Sequence, residues 1–334
     1  MKFLIIGLGS MGKRRIRNLQ YLGYSKIFGF DLNEDRRQEA VNKYGITTIE
    51  NFDNVASLEV DVLIISVPPD KHHIYMLKSI ELNKPCFVEA SVVDYSFNEL
   101  ISLSEKNKVF IAPSSTMYFH PAIKKIKSII EEKIIGLTTN ISYHSGQYLP
   151  DWHTYEKVKD FYVSQKETGG AREIVPFELT WITKIFGFPS SVFGCVKKTI
   201  EIEGAELIDD TYVGVLDYES FILSLTIDVT SRVATRKLLI NGSKGQLIWD
   251  WNNNFISVYT PANGWNNIEF EMLAAEEGYN KNITEQMYID ELSCFIAGIL
   301  DCQVYVNTLT DDHAVLKVLY AIEESSNSRK TILL

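Results

Sequence analysis

A chain of 334 residues has room for two domains of about 150 residues each. It is 46% hydrophobic and 23% charged, which excludes a disordered chain and fits a large buried core. Its 43 acidic against 33 basic side chains give a net charge of −10, which disfavours nucleic acid as a partner.

The longest apolar runs, such as Val60–Pro69 and Phe87–Val93, fall short of the roughly 18 residues that a membrane span requires, so no membrane partner is expected. Phe3–Ile6 is also too short for the apolar region of a signal peptide. Cys86, Cys195, Cys294 and Cys302 are scattered with no CxxC pair, and are expected to be reduced core residues of a cytoplasmic protein.

Short apolar runs lie at Phe3–Ile6, Lys26–Phe30, Val62–Val67, Cys86–Val88 and Val109–Ala112. Between them Met11–Leu22, Glu34–Tyr44, His72–Leu82 and Phe97–Lys106 have helical spacing. That alternation predicts βαβ units and a parallel sheet, and the unbroken apolar runs predict strands buried on both faces. Past about residue 120 the texture changes. A helix is predicted over Pro121–Lys133, an alternating strand over Leu137–His144, and a helix from Ala171 to Phe186 after Gly169-Gly170. Strand-like runs follow at Val192–Ile200, Thr211–Asp217, Phe221–Val229, Arg236–Asn241 and Gln246–Trp251, then helices over Thr284–Leu300 and Thr310–Ser325. The expected architecture is an α/β domain over 1–120 and an α+β domain over 121–334 with an open, mainly antiparallel sheet.

Gly7-Leu8-Gly9-Ser10-Met11-Gly12 is a G-x-G-x-x-G pattern that follows a predicted strand and opens a predicted helix. Gly7 permits the tight turn, Gly9 lets backbone approach a pyrophosphate, and Gly12 lets helix and strand pack closely. Ser10 and Met11 begin the helix whose free N–H groups face the phosphates. Asp31, 19 residues after Gly12, stands where a carboxylate accepts hydrogen bonds from the adenosine ribose, which favours NAD over NADP.

Ser66-Val67-Pro68-Pro69-Asp70-Lys71-His72, Lys84-Pro85-Cys86-Phe87-Val88-Glu89, Phe119-His120-Pro121 and Asn241-Gly242-Ser243-Lys244-Gly245 accompany the glycine motif. Together they resemble the glucose–fructose oxidoreductase / inositol dehydrogenase / MocA family over essentially the whole chain. The resemblance implies a Rossmann NAD(P) domain and a second α/β domain. It also implies oxidation or reduction of a secondary alcohol or ketone on a sugar, inositol or sugar nucleotide. By position, Pro68, Pro69 and His72 would border the cofactor, and Glu89 would match the acid of the family's Glu-Lys-Pro motif near the nicotinamide ribose.

Two departures follow. Glu-Lys-Pro is replaced by Glu89-Ala90-Ser91, and alanine can neither carry charge nor move a proton. The helix after Gly170 lacks the histidine that the family usually places there. From Tyr148 through Phe161-Tyr162 to Glu173 the chain also resembles a subgroup tied to nine-carbon acidic sugars and other surface glycans.

With lysine and histidine missing, the proton carrier is expected among Glu173, Glu178, His153 and Tyr118. Either glutamate could instead be an ordinary helix-start carboxylate. Arg172 would suit a carboxylate or phosphate on the substrate, or a salt bridge. Lys166 and Trp152 are further substrate contacts, and the aromatic residues of Tyr143–Tyr162 and Trp249–Trp265 serve either sugar stacking or a core. His72-His73 is no metal pair and no metal is expected. The expectation is an NAD-dependent oxidoreductase for a small sugar-derived substrate, a homodimer or homotetramer because one sheet face would otherwise be bare. The alternative is a dinucleotide-binding sensor or structural subunit without turnover.

Overall fold

A computed structural model describes residues 1–152, 157–272 and 283–334. They divide into two compact units: Met1–Thr116 with Gln286–His313, and Met117–Glu285 with Ala314–Leu334. A single boundary at 120 does not describe this path, because the chain returns to the first unit after building most of the second.

The first unit alternates strand and helix: β1 (Phe3–Ile6), α1 (Ser10–Tyr21), β2 (Ile27–Phe30), α2 (Glu34–Tyr44), β3 (Thr47–Ile49), α3 (Val55–Leu58), β4 (Val62–Ile65), α4 (His72–Glu81), β5 (Cys86–Val88), α5 (Phe97–Asn107) and β6 (Ile111–Pro113). All strand pairs are parallel and the order is β3-β2-β1-β4-β5-β6. Every residue of β1 and β4 is buried, as the unbroken apolar runs predict. α2 shows how local chemistry sets an element: Asn33 caps it by accepting the Arg36 N–H at 3.2 Å, Glu34 and Asp35 occupy its first turn, and Gly45 at φ +67° ends it.

The second unit holds α6 (Pro121–Glu131), β7 (Thr138–Gly146), α7 (Ala171–Phe186), β8 (Ser191–Lys197), β9 (Thr211–Tyr218), β10 (Phe221–Asp228), β11 (Thr235–Gly242), β12 (Gly245–Asp250), β13 (Phe255–Thr260) and β14 (Gly264–Glu269). After α8 (Glu285–Ile299) and α9 (Leu309–Ser328), β15 (Ile332–Leu333) closes the chain. The nine strands run β14-β13-β12-β11-β7-β10-β9-β8-β15, antiparallel except for β10 beside β7. Tyr143 and Ser145 of β7 face α7, so Ser142, next to Tyr143, points the other way. The register carries that outer row across the sheet as Phe193, Val215, Ser224, Ser142, Leu239 and Ile248. Phe193, Val215 and Ile248 in it are exposed.

α7 spans Ala171–Phe186 as the sequence leads one to expect, with Pro176 inside it. One detail departs from the sequence expectations. Of the four free cysteines only Cys86 and Cys294 are buried; Cys195 and Cys302 are exposed.

Candidate functional site

The turn between β1 and α1 is built by glycines. Gly7 has φ +90°, and a Cβ there would stand 2.5 Å from the Ser66 carbonyl oxygen. A Cβ on Gly12 would lie 1.8 Å from the Gly7 oxygen. Gly9 is different: nothing but the end of Arg36 comes within 4 Å, so its surface is open. α1 then begins at Ser10 with Met11 beside it, both half-buried, and no side chain caps its N-terminus. A close-approach glycine followed by uncapped helix amides fits a pyrophosphate.

Asp31 follows β2 and is nearly buried. Its Oδ2 accepts the Leu8 N–H at 2.7 Å and its Oδ1 the Asn33 N–H at 2.8 Å. The carboxylate therefore props the glycine turn as well as presenting charge beside it. A carboxylate has about four acceptor sites, so room for ribose hydroxyls is left. Replacing Asp31 by alanine should narrow the gap between NAD and NADP affinity and weaken both, since the turn loses its support. Titrating both dinucleotides into wild type and variant checks this; a wild type that already prefers NADP would refute the role given to Asp31.

After β4 the chain passes Ser66 and exposed Pro68, and buried Pro69 opens the turn into α4. His72 is buried, its Nε2 bonded to the Val67 carbonyl at 2.9 Å, and burial lowers its imidazole to about 4. It is a neutral strut of this loop. Glu89, just past β5, is held by Arg15 of α1 through Nε–Oε1 at 2.7 Å and Nη2–Oε2 at 2.8 Å.

The second unit separates the two candidate glutamates. Glu178 is fully buried and saturated. It accepts from Tyr143 Oη at 2.7 Å, Ser145 Oγ at 2.9 Å, Trp181 Nε1 at 2.8 Å and Arg236 Nε at 2.7 Å. Four donors fill its acceptor capacity and leave no site for a substrate proton. Glu173, in the first turn of α7, accepts a short hydrogen bond from Tyr162 Oη on Oε1. Its Oε2 is buried and has no hydrogen-bond partner among the described residues. Burial outweighs the Tyr162 bond and raises the carboxyl to about 7.

Arg172 is also committed. Its Nε donates to Glu323 Oε1 at 2.7 Å, it reaches the Glu167 carbonyl, and its guanidinium lies over the Tyr320 ring. It is thus an internal tie between α7 and α9, the salt-bridge alternative of the sequence reading. Lys166 is exposed, Trp152 is half-buried, and His153 lies outside the described residues. Tyr118 packs edge-on against Phe119 with Lys127 over its ring. His120 caps α6 by accepting the Ala122 N–H and packs on Trp249. Trp249 and Trp251 are core residues, whereas Trp265 is exposed. Among the described residues no cluster of three or more metal-ligating side chains occurs, and no helix is long and apolar enough to cross a membrane.

Sequence reading overlooked Arg15, Glu291 and Arg236, and named Tyr162 only within the stretch of resemblance. The spacing Gly12, Arg15, Ile16, Leu19 carried the signal for the first, because it puts Arg15 on the buried face of α1.

Residues 1–109 match the GFO_IDH_MocA model, described as an oxidoreductase family with an NAD-binding Rossmann fold. No curated protein matches the chain by sequence. Solved structures do match its fold. An oxidoreductase from Agrobacterium radiobacter in complex with NAD+, L-tartaric acid and magnesium is 12% identical, with TM-score 0.87 over 100% of this chain and 98% of that one. A levoglucosan dehydrogenase in complex with NADH is 15% identical, with TM-score 0.85 over 100% and 98%. The myo-inositol 2-dehydrogenase of Lactobacillus plantarum is 17% identical, with TM-score 0.83 over 100% and 99%. The glycine cradle, the strand order and the matched family model together show that residues 1–109 form an NAD-binding Rossmann domain of the kind found in the GFO_IDH_MocA oxidoreductases.

Proposed function

We propose that the chain interconverts a secondary alcohol and a ketone on a sugar-derived substrate, with Glu173 handling the proton. When bound, NAD supplies the hydride acceptor or donor at its nicotinamide. The observation that carries the proposal is the Glu173 carboxyl: one oxygen bonded to Tyr162, the other buried and without a partner among the described residues, and a proton affinity near neutrality. At about pH 7 such a group is present in both forms. It takes the hydroxyl proton in oxidation and returns it to the carbonyl oxygen in reduction. This is the service that Ala90 cannot give.

The substrate class rests on the levoglucosan and inositol dehydrogenases of the same fold, and on the resemblance over 148–173 to acidic-sugar and surface-glycan enzymes. NADH oxidation against keto-sugars and keto-sugar nucleotides, and NAD+ reduction with inositols and free sugars, tests it. Turnover on one member of the panel is expected. Tight NADH binding with no turnover on any of them would favour a sensor or structural subunit.

The exposed row through Phe193, Val215 and Ile248 supports self-association by the open sheet face. The mass in solution is expected to be that of a dimer or tetramer; a monomer at micromolar concentration would count against it.

A further inference from the structure

Three charged side chains meet at the carboxyl edge of the parallel sheet, and the proton transfer proposed above uses none of them. Arg15 is fully buried and grips Glu89 with two nitrogens. Its Nη2 also donates to Glu291 Oε2 at 3.0 Å, and its guanidinium lies 4.4 Å from the Phe87 ring centre. Glu291, on α8, is fully buried and collects three more donors from the strand end after β6: Ser114 Oγ at 2.9 Å, the Ser115 N–H at 2.6 Å and Thr116 Oγ1 at 2.8 Å.

A buried ion network is a poor way to gain stability, since well-packed apolar side chains of similar volume do as well or better. What this one delivers is a fixed carboxylate. Glu89 alone of the three keeps an opening, its side chain 13% exposed against 0% for Arg15 and Glu291. It accepts two hydrogen bonds from Arg15 and one from Ser66 Oγ at 3.1 Å, so one of about four acceptor sites remains. Ser66 ties it to the cradle, for the Ser66 carbonyl is the group against which Gly7 packs. In a sheet of this order β1–β3 serve the adenosine half of a dinucleotide and β4–β6 the other half. Glu89, past β5, belongs to the other half.

We infer that Arg15 and Glu291 are positioning residues: they lock the Glu89 carboxylate in the orientation that accepts a hydroxyl of the nicotinamide-side ribose. This rests on the dinucleotide site described above. Glu291 acts at one remove. It holds the same Arg15 Nη2 that donates to Glu89, and its own place is set by the three donors after β6. Sequence distance hides the arrangement, since Glu291 returns to the first unit from near the end of the chain.

The test compares dissociation constants for NADH and for ADP, which carries adenosine and both phosphates but lacks the second ribose. Glu291→Gln should weaken NADH about tenfold and leave ADP within about twofold, the cost of one charge-assisted hydrogen bond. Thr116→Val, a milder change that removes one donor to Glu291, should weaken NADH about threefold in the same selective way, and it serves if Glu291→Gln fails to fold. Equal weakening of both ligands would overturn the inference, since it is what a merely structural role in seating α1 predicts. Unchanged NADH affinity in either folded variant would overturn it too. A wild type that binds neither ligand would instead bring down the dinucleotide assignment beneath it.

Discussion

Glu173→Gln is expected to cut turnover about 10²–10⁴-fold while NADH affinity stays within about twofold, the range lost when a positioned acid–base group is removed. The substitution keeps the shape of the side chain and its bond from Tyr162, and removes only the exchangeable proton. Wild-type turnover should bend near pH 7, where the carboxyl titrates, and that bend should vanish in the variant. Stability gives an independent reading with a definite sign. The folded-state value lies above that of an unfolded glutamate, so the contribution of Glu173 is fully present below about pH 4.3 and is lost as pH rises through about 7. Above pH 7 the glutamine variant should therefore melt higher than wild type, and below pH 4 the advantage should disappear. Melting curves across pH 4–8, run beside stopped-flow turnover, check both. An unchanged pH profile with undiminished kcat would remove Glu173 from the chemistry.

How much of this was legible beforehand depended on how local the cause was. The parallel sheet was visible because its strands are short apolar runs separated by amphipathic helices, and the glycine turn because each glycine answers a local steric demand. β3 was missed because Thr47–Ile49 is short and polar, and β14 because Gly and Asn fill half of Gly264–Glu269; β13, Phe255–Thr260, did carry an alternating run of strand formers and was passed over. The two glutamates of α7 looked equivalent in sequence. They differ only through partners far along the chain: Tyr143, Ser145 and Arg236 around Glu178, against Tyr162 alone for Glu173 among the bonds they make. Arg172 likewise stood open between an anion contact and a salt bridge, and its ion-pair partner, Glu323, lies 151 residues later. Glu291 carried a faint signal, since Tyr288, Leu292 and Phe295 mark the buried face of α8 on which it lies. A buried acid on such a face implies a buried cation, but nothing in the sequence points to Arg15.

Glu178→Ala is expected to cost the protein about 3–5 kcal/mol, the usual penalty for removing one partner of a buried ion pair. Arg236, whose side chain is only 13% exposed, would keep its charge without its carboxylate. Tyr143, Ser145 and Trp181 would each lose an acceptor, and these losses overlap rather than add, because all four donors converge on one group. Urea unfolding should show the midpoint falling sharply in the alanine variant and less in Glu178→Gln, whose amide oxygen still accepts from part of the set. Pairing Glu178→Leu with Arg236→Met should recover part of the loss, since the stranded charge is gone although three donors stay unsatisfied. The same variants decide between the two glutamates. Because every acceptor site of Glu178 is taken, turnover per folded molecule should survive in Glu178→Gln and collapse in Glu173→Gln. A Glu178→Gln protein with its wild-type midpoint and no turnover would reverse the assignment. The proton would then belong to the saturated carboxylate, and Tyr143 or Arg236 would have to give way when substrate binds.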